Sequence, residues 1–276
     1  MKTTKPTVFI LSVSSDIGMV LAQRYLKDNF RVIGTYRTFS DRLLPLQKEK
    51  LCTLIAFDIT DPSALKNLKE RLKRLKVKWE TFISCVGEPR PLTPFFETDF
   101  DSWNASVSLN STSQLRVLHE LYPLRSKKRI CNVVFFAAGG INKAVIDFSA
   151  YTIGKIMLVK MCEYLDAEEK SLNIFTVGPG WTKTKTHTLI LNDPGISKEK
   201  KRATLEFLKK RKGTDIGYIY NCIRFLSKMG KETASGRNFS IGYDPLDAKS
   251  RRRLAESLKK DRDMYKLRRY GSDLPS

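Results

Sequence analysis

Short apolar runs and amphipathic stretches alternate along the first two thirds of the chain. Residues 8–13 are almost wholly apolar, and Ile17, Val20, Leu21 and Tyr25 then follow at helical spacing. Residues 31–36 are strand-like again, 51–57 predict a third strand, and Asp61-Pro62 supplies an N-cap and a first-turn proline for the helix behind it. Residues 81–86 predict a fourth strand, 99–121 one long helix, 130–137 a fifth strand, 150–165 another helix, and 172–177 a sixth strand ending in Gly178-Pro179-Gly180. Near-continuous apolar strands are what a parallel sheet covered on both faces requires. With a last strand at 238–243, the expected fold is α/β: a doubly wound, mostly parallel seven-stranded sheet in a single domain. Such sheets bind ligands at the carboxyl ends of their strands.

After Gly180 the pattern loosens. Residues 181–213 form a polar, basic insertion with two helical stretches at most, placed to cover the strand ends as a substrate lid. Residues 215–229 read as a helix. In the basic tail, residues 247–276, Leu254, Leu258 and Tyr265 recur at helical spacing, which predicts a surface helix. No repeat and no long linker divides the chain.

At 276 residues and 41% hydrophobic content the chain suits one large α/β domain. No run of 18 apolar residues is present, so no membrane span is expected, and the N-terminal run is too short for a signal peptide. The expected compartment is cytoplasmic. Five widely spaced cysteines without a Cys-x-x-Cys read as reduced thiols, neither a disulfide framework nor a zinc site. Two histidines, His119 and His187, leave no His-rich metal site and read as surface or packing residues. The net charge is +21, and four blocks, 64–78, 125–129, 196–213 and 247–276, carry all of it. These blocks read either as solvated helix faces or as a surface for a polyanion such as nucleic acid, although no base-reading pattern accompanies them.

Tyr151 and Lys155 lie four residues apart at the start of the helix at 150–165, so one turn sets a phenol beside an ammonium. A neighbouring cation favours the phenolate and lowers a tyrosine pKa, and such a pair can pass a proton to a carbonyl.

The segment Val8-Phe-Ile-Leu-Ser-Val-Ser-Ser-Asp-Ile-Gly18 runs strand, tight turn, helix start. In its order of motifs over residues 7–243 the chain resembles the short-chain dehydrogenase/reductases, whose fold is Rossmann-like. Residues 1–246 would then be the dinucleotide-binding domain. The family's opening glycine motif survives only at Gly18; Ser12 stands at its first glycine and Asp16, a candidate helix cap, at its second. The resemblance implies that Ser12, Ser14, Ser15, Asp16, Ile17 and Gly18 border the cofactor, and that Arg37 after the second strand meets a 2′-phosphate, favouring NADP(H) over NAD(H). It implies that Asp58 and Ile59 meet the adenine, that Gly87 lines the turn after the fourth strand, and that Pro179, Gly180, Thr182 and Thr184 meet the nicotinamide side. Asn110 matches the family's helical Asn, which steadies a water near the lysine.

One motif fails: the family's serine, thirteen residues before the tyrosine, is Ala138 here. Loss of one oxyanion-type donor typically costs about 3 kcal/mol, roughly a hundredfold in rate. Thr182, Asn142 or a water are candidate replacements.

The resemblance thus implies an NADP(H)-dependent oxidoreductase acting on a small-molecule carbonyl or alcohol, with Tyr151 moving the proton, Lys155 lowering its pKa and holding the ribose, and Asn110 supporting the relay. The ending Tyr243-Asp-Pro245 is similar to members acting on sugar nucleotides, and an anionic substrate would suit the basic lid. A homodimer or homotetramer through the helices of Asn110 and Tyr151 is also implied. Two alternatives stay open: a catalytically impaired member that binds NADP(H) as a structural or sensing ligand, and a basic nucleic-acid or anionic-surface binder on the same scaffold.

Overall fold

A computed structural model of the chain describes residues 5–210 and 213–269. Burial on both faces organises its strands. β1 (Thr7–Leu11) is buried at every position, with Val8 and Ile10 in one apolar cluster and Phe9 and Leu11 in another, the alternation of a pleated strand between two cores. Together with β2 (Arg31–Tyr36), β3 (Cys52–Ala56), β4 (Thr81–Ser84), β5 (Cys131–Phe136), β6 (Leu172–Gly178) and β7 (Asn238–Ser240), it forms a seven-stranded sheet in the order β3-β2-β1-β4-β5-β6-β7. Every pairing is parallel. The chain reverses direction across the sheet between β1 and β4, so the loops leaving these two strands diverge and open a crevice.

Helices cover both faces. Against one lie α1 (Asp16–Lys27) and the short α2 (Leu44–Gln47); against the other lies α3 (Pro62–Arg74), capped by Asp61 as its Asp-Pro start predicts. The expected single helix at 99–121 is two: α4 (Phe100–Asn110) and α5 (Thr112–Leu121). Ser111 breaks it, with φ −141° and ψ −88°, and its hydroxyl donates back to the Val107 carbonyl at 2.5 Å. α6 (Ser149–Glu168) follows β5. The lid region holds α7 (Lys185–Asn192) and α8 (Lys198–Lys210), two helical stretches as expected; residues 211–212 of the expected lid lie outside the described residues.

α9 (Ile216–Met229) and the short α10 (Lys231–Ala234) return the chain to β7. The strand expected at 238–243 ends at Ser240, where the Asp244 carboxylate takes the Ser240 N–H and turns the chain. In the tail, α11 (Arg251–Lys260) buries Leu254 and Leu258 in the first core cluster. Tyr265 is not on this helix; it sits at φ +64° and its carbonyl accepts the Asn238 N–H at 2.9 Å. Arg237 is buried, and its guanidinium donates to the carbonyls of Leu258 (2.7 Å), Asp261 (3.1 Å) and Met264 (2.5 Å). The described part of the tail is therefore stitched to the sheet edge; residues 270–276 lie outside the described residues. Among the described residues no helix is long and apolar enough to cross a membrane, and no cluster of His, Cys, Asp or Glu is arranged to hold a metal.

Candidate active site

The β1–α1 turn is built from side chains where glycines would allow more freedom. Ser12 adopts φ +63°, and its N–H donates to Thr35 Oγ1 at 3.0 Å. Ser15, in extended conformation, caps α1 by accepting the Gly18 N–H at 3.0 Å. Gly18 is dictated by packing: a Cβ there would lie 2.6 Å from the Ser12 carbonyl oxygen. Asp16, expected as the cap, is displaced from that role because Ser15 already fills it. Its carboxylate instead accepts the Lys185 N–H at 2.7 Å and Arg42 at 2.5 Å, so the turn is tied to the first residue of α7. Burial pushes the Asp16 carboxyl up, but these two partners outweigh it and hold it below the ordinary range. The Ser14 carbonyl accepts Lys185 Nζ at 3.4 Å, while Ile17 packs on the core.

Beyond β2 and β3, Arg37 is exposed and Asp58 accepts both the N–H and the hydroxyl of Thr60, at 2.9 and 2.7 Å. These bonds, and then the charge of Arg37, lower the Asp58 pKa. Ile59 packs against the second core cluster.

Tyr151 and Lys155 occupy successive turns of α6. Lys155 is 1% exposed and donates from Nζ to the Val86 carbonyl at 2.8 Å; burial pulls its pKa down to about 7. Its Nζ is 5.7 Å from the centre of the Tyr151 ring. The phenol does not titrate as the pairing suggests. Burial, reinforced by the charge of Glu88, pushes Tyr151 up to about 12, because Lys155 is turned to Val86 and desolvation of the phenolate dominates. Across from the pair is Gly87, where a Cβ would stand 3.6 Å from the Tyr151 hydroxyl and 3.9 Å from Lys155 Nζ.

Asn110 is fully buried at the end of α4. Its Nδ2 donates to the carbonyls of Glu88 and Ser106, each at 2.9 Å, and its Oδ1 accepts the Glu88 N–H at 3.2 Å. Lys155 and Asn110 thus fix neighbouring peptides of one loop, at Val86 and Glu88. Ala138 follows β5 and brings no hydroxyl, nor do Ala137, Gly139 and Gly140. Of the candidate replacements, the Thr182 hydroxyl donates back to the carbonyls of Pro179 (3.2 Å) and Gly180 (3.5 Å), and Asn142 is exposed.

Gly180 adopts φ +71°, and a Cβ there would meet Thr214 Oγ1 at 2.8 Å, so the chain can turn sharply into the lid. Thr184 stands at the N-terminal boundary of α7 without capping it through its side chain. The lid is walled by rings: Trp181 stacks on His187 at 5.9 Å, and Phe207 lies 4.8 Å from Trp181 and 5.0 Å from His187. His187 is thus a lid residue, held by a bond from Nε2 to the Thr182 carbonyl at 2.9 Å. Tyr151 packs against a small apolar cluster of Leu92, Phe148, Ile190 and Ile196, drawn from the β4 loop, the α6 approach and the lid. Of these neighbours, Glu88 and Phe148 go unnoticed in the sequence; only the Gly in Tyr-Thr-Ile-Gly-Lys, unusual inside a helix, marks the close packing around the pair.

The all-parallel, doubly wound sheet with helices on both faces is a Rossmann-like fold, and Tyr151 and the buried Lys155 lie on the helix that follows β5. A family model described as enoyl-(acyl carrier protein) reductase matches residues 12–241, and the chain belongs to the short-chain dehydrogenase/reductase family. It is 28% identical over 251 residues to the short chain dehydrogenase pgmD of Aspergillus terreus, covering 78% of each chain. It is 27% identical over 184 residues to a serine 3-dehydrogenase of Rhizobium radiobacter, covering 65% of this chain and 73% of that protein. The crystal structure of the short-chain dehydrogenase/reductase YIR035C of Saccharomyces cerevisiae is similar with a TM-score of 0.79 at 21% identity, over 88% of this chain and 98% of that one. Members of the family generally use NAD(P)(H).

Proposed function

We propose that the chain is an NADP(H)-dependent oxidoreductase that interconverts an alcohol and its carbonyl compound on a small anionic substrate. The observation that carries this reading is the phenol of Tyr151 facing side-chain-free Gly87, with Lys155 buried one turn behind it. The clear floor at Gly87 and the left-handed turn at Gly180 fit a flat nicotinamide, and exposed Arg37 beside Asp58 fits the phosphorylated adenosine end. Ser12, Ser14, Ser15, Ile17 and Gly18 would border the pyrophosphate, where Arg42 and Lys185 balance the charge of Asp16. Ile59, Pro179, Thr182 and Thr184 would complete the cradle.

The cofactor, when bound, exchanges a hydride with the carbinol carbon. In oxidation the Tyr151 phenolate would take the O–H proton of the alcohol at Oη, and in reduction the phenol would give that proton back. Lys155 would hold the ribose, and Asn110, which fixes the Glu88 peptide, would support the relay. The anionic substrate is supported by Lys200 in the lid, and a small alcohol bearing a carboxylate by the name of the Rhizobium relative, a serine 3-dehydrogenase. A self-associating unit through α4 and α6 is supported by exposed Phe100, Ile153 and Tyr164, and a cytoplasmic site by five free thiols.

Nicotinamide absorbance followed in both directions, over a panel of hydroxy acids and keto acids, tests the reading. Tyr151→Phe is expected to lower kcat by about 10²- to 10⁴-fold with cofactor binding kept. Ala138 and the high phenol pKa favour a second reading, a cofactor-binding member without turnover. Binding without turnover, indifferent to Tyr151→Phe, would establish that one.

A further inference from the structure

The lid brings Lys200, in the first turn of α8, over the Phe148 ring, with Nζ 4.8 Å from its centre and 5.9 Å from that of Trp181. Directly before Phe148, Asp147 is held at φ +70°, only 6% exposed, and its Oδ2 has no hydrogen-bond partner among the described residues. The Asp147 charge reaches Lys200 and opposes the effect of burial on it, yet the two do not close into an ion pair among the described residues. His187 Nδ1 is buried and unpartnered among the described residues, and its ring is near enough to Lys200 to feel that charge. Phe148 is part of the apolar cluster on which Tyr151 packs, so these groups adjoin the candidate site.

A carboxylate withdrawn from water and left unsatisfied is costly, and native structures keep such a group where something completes it. A molecule that completes this pair must donate to Asp147 and accept from Lys200. A plain alcohol answers neither charge. A simple hydroxy acid answers only Lys200.

We infer that Asp147 and Lys200 form a zwitterion subsite, and that the substrate is a hydroxy amino acid or its keto counterpart, its ammonium on Asp147 and its carboxylate on Lys200. His187 Nδ1 is a second acceptor for the ammonium. The inference rests on the oxidoreductase reading for its chemistry, but the subsite binds whether or not turnover follows.

The test uses the full chain with NADP⁺ and four alcohols: threonine, its methyl ester, 3-hydroxybutyrate and 2-butanol. Threonine should show the highest kcat/KM. Lys200→Met should reduce the threonine to 2-butanol ratio of kcat/KM by about 10- to 100-fold, chiefly through KM, with partial rescue by Lys200→Arg. Asp147→Asn should erase the preference for threonine over 3-hydroxybutyrate. Equal losses on threonine and 2-butanol would assign both residues to lid structure and overturn the subsite. Binding of threonine to the same complex, measured by ligand-observed NMR, separates the two claims. Binding that Lys200→Met abolishes, without turnover of any alcohol, keeps the subsite and removes the reductase reading; turnover of 2-butanol without threonine binding does the reverse.

Discussion

Gly154 on α6 stands against Asn110 at the end of α4 with no room for a methyl group between them: a Cβ at Gly154 would lie 2.9 Å from Asn110 Cβ and 3.1 Å from the Val107 carbonyl oxygen. This crossing holds the helix of Tyr151 and Lys155 against the residue that fixes Glu88. Gly154→Val should overpack it, lowering stability by about 1–3 kcal/mol and reducing turnover beyond what the unfolded fraction explains. Urea denaturation and specific activity on the same samples check this. An unchanged midpoint would mean that α4 and α6 part freely.

Lys155 makes stability depend on pH. Its folded pKa is pulled from 10.5 to about 7 by burial, so between these values the unfolded chain binds more protons than the folded one. Stability therefore rises with pH across that window, by up to about 1.4 kcal/mol per pH unit from this group. Below the window both states are protonated and the buried charge is fully destabilising. Lys155→Met should lose activity while gaining stability relative to the parent at about pH 6, and this gain should shrink toward about pH 10. Urea midpoints of both proteins at three pH values decide it; a gain that does not change with pH contradicts a depressed lysine.

At Ala138 the question is whether a missing hydroxyl limits the rate. Ala138→Ser should raise kcat on a carbonyl substrate by up to about a hundredfold, with KM moving less. Pre-steady-state hydride transfer is the measurement. No acceleration would show that the substrate oxygen is held by another donor.

Arg37 is exposed and acts on Asp58 through charge. Arg37→Asp should weaken NADP(H) by about tenfold or more and improve NAD(H), because a like charge would face the 2′-phosphate. Fluorescence titration with both cofactors reads the ratio, and an unaltered ratio would remove Arg37 from cofactor choice.

The inner strands β1, β2, β4, β5 and β6 are legible because they are buried on both sides and read as near-continuous apolar runs, whereas the edge strand β7 is polar at both ends and shorter than expected. Tyr151 and Lys155 were legible because four-residue spacing is a local property of a helix. What escaped was set across the chain. The break at Ser111 follows from a turned-back hydroxyl that local propensity does not announce. The phenol of Tyr151 rises instead of falling because Glu88, from the loop after β4, and burial act on it, while Lys155 is drawn to Val86. Asp147 and Lys200 come from different parts of the chain and come near each other only because α8 packs Lys200 over Phe148. Asp16 was read as a cap because its neighbour Ser15 offers the same chemistry one residue earlier, and backbone geometry chose between them.

Arg237 and Asn238 bear on the order in which the protein can be made. The outermost strand of the sheet begins at Asn238, whose N–H pairs with Tyr265, while the guanidinium just before it donates to peptide carbonyls from Leu258 to Met264 and feels the charges of Asp261, Asp166 and Asp263. A nascent chain halted at β7 would leave the Arg237 guanidinium and the Asn238 N–H to water, without the tail that later covers them. The sheet edge therefore gains its full set of partners only after residue 265 has left the exit tunnel.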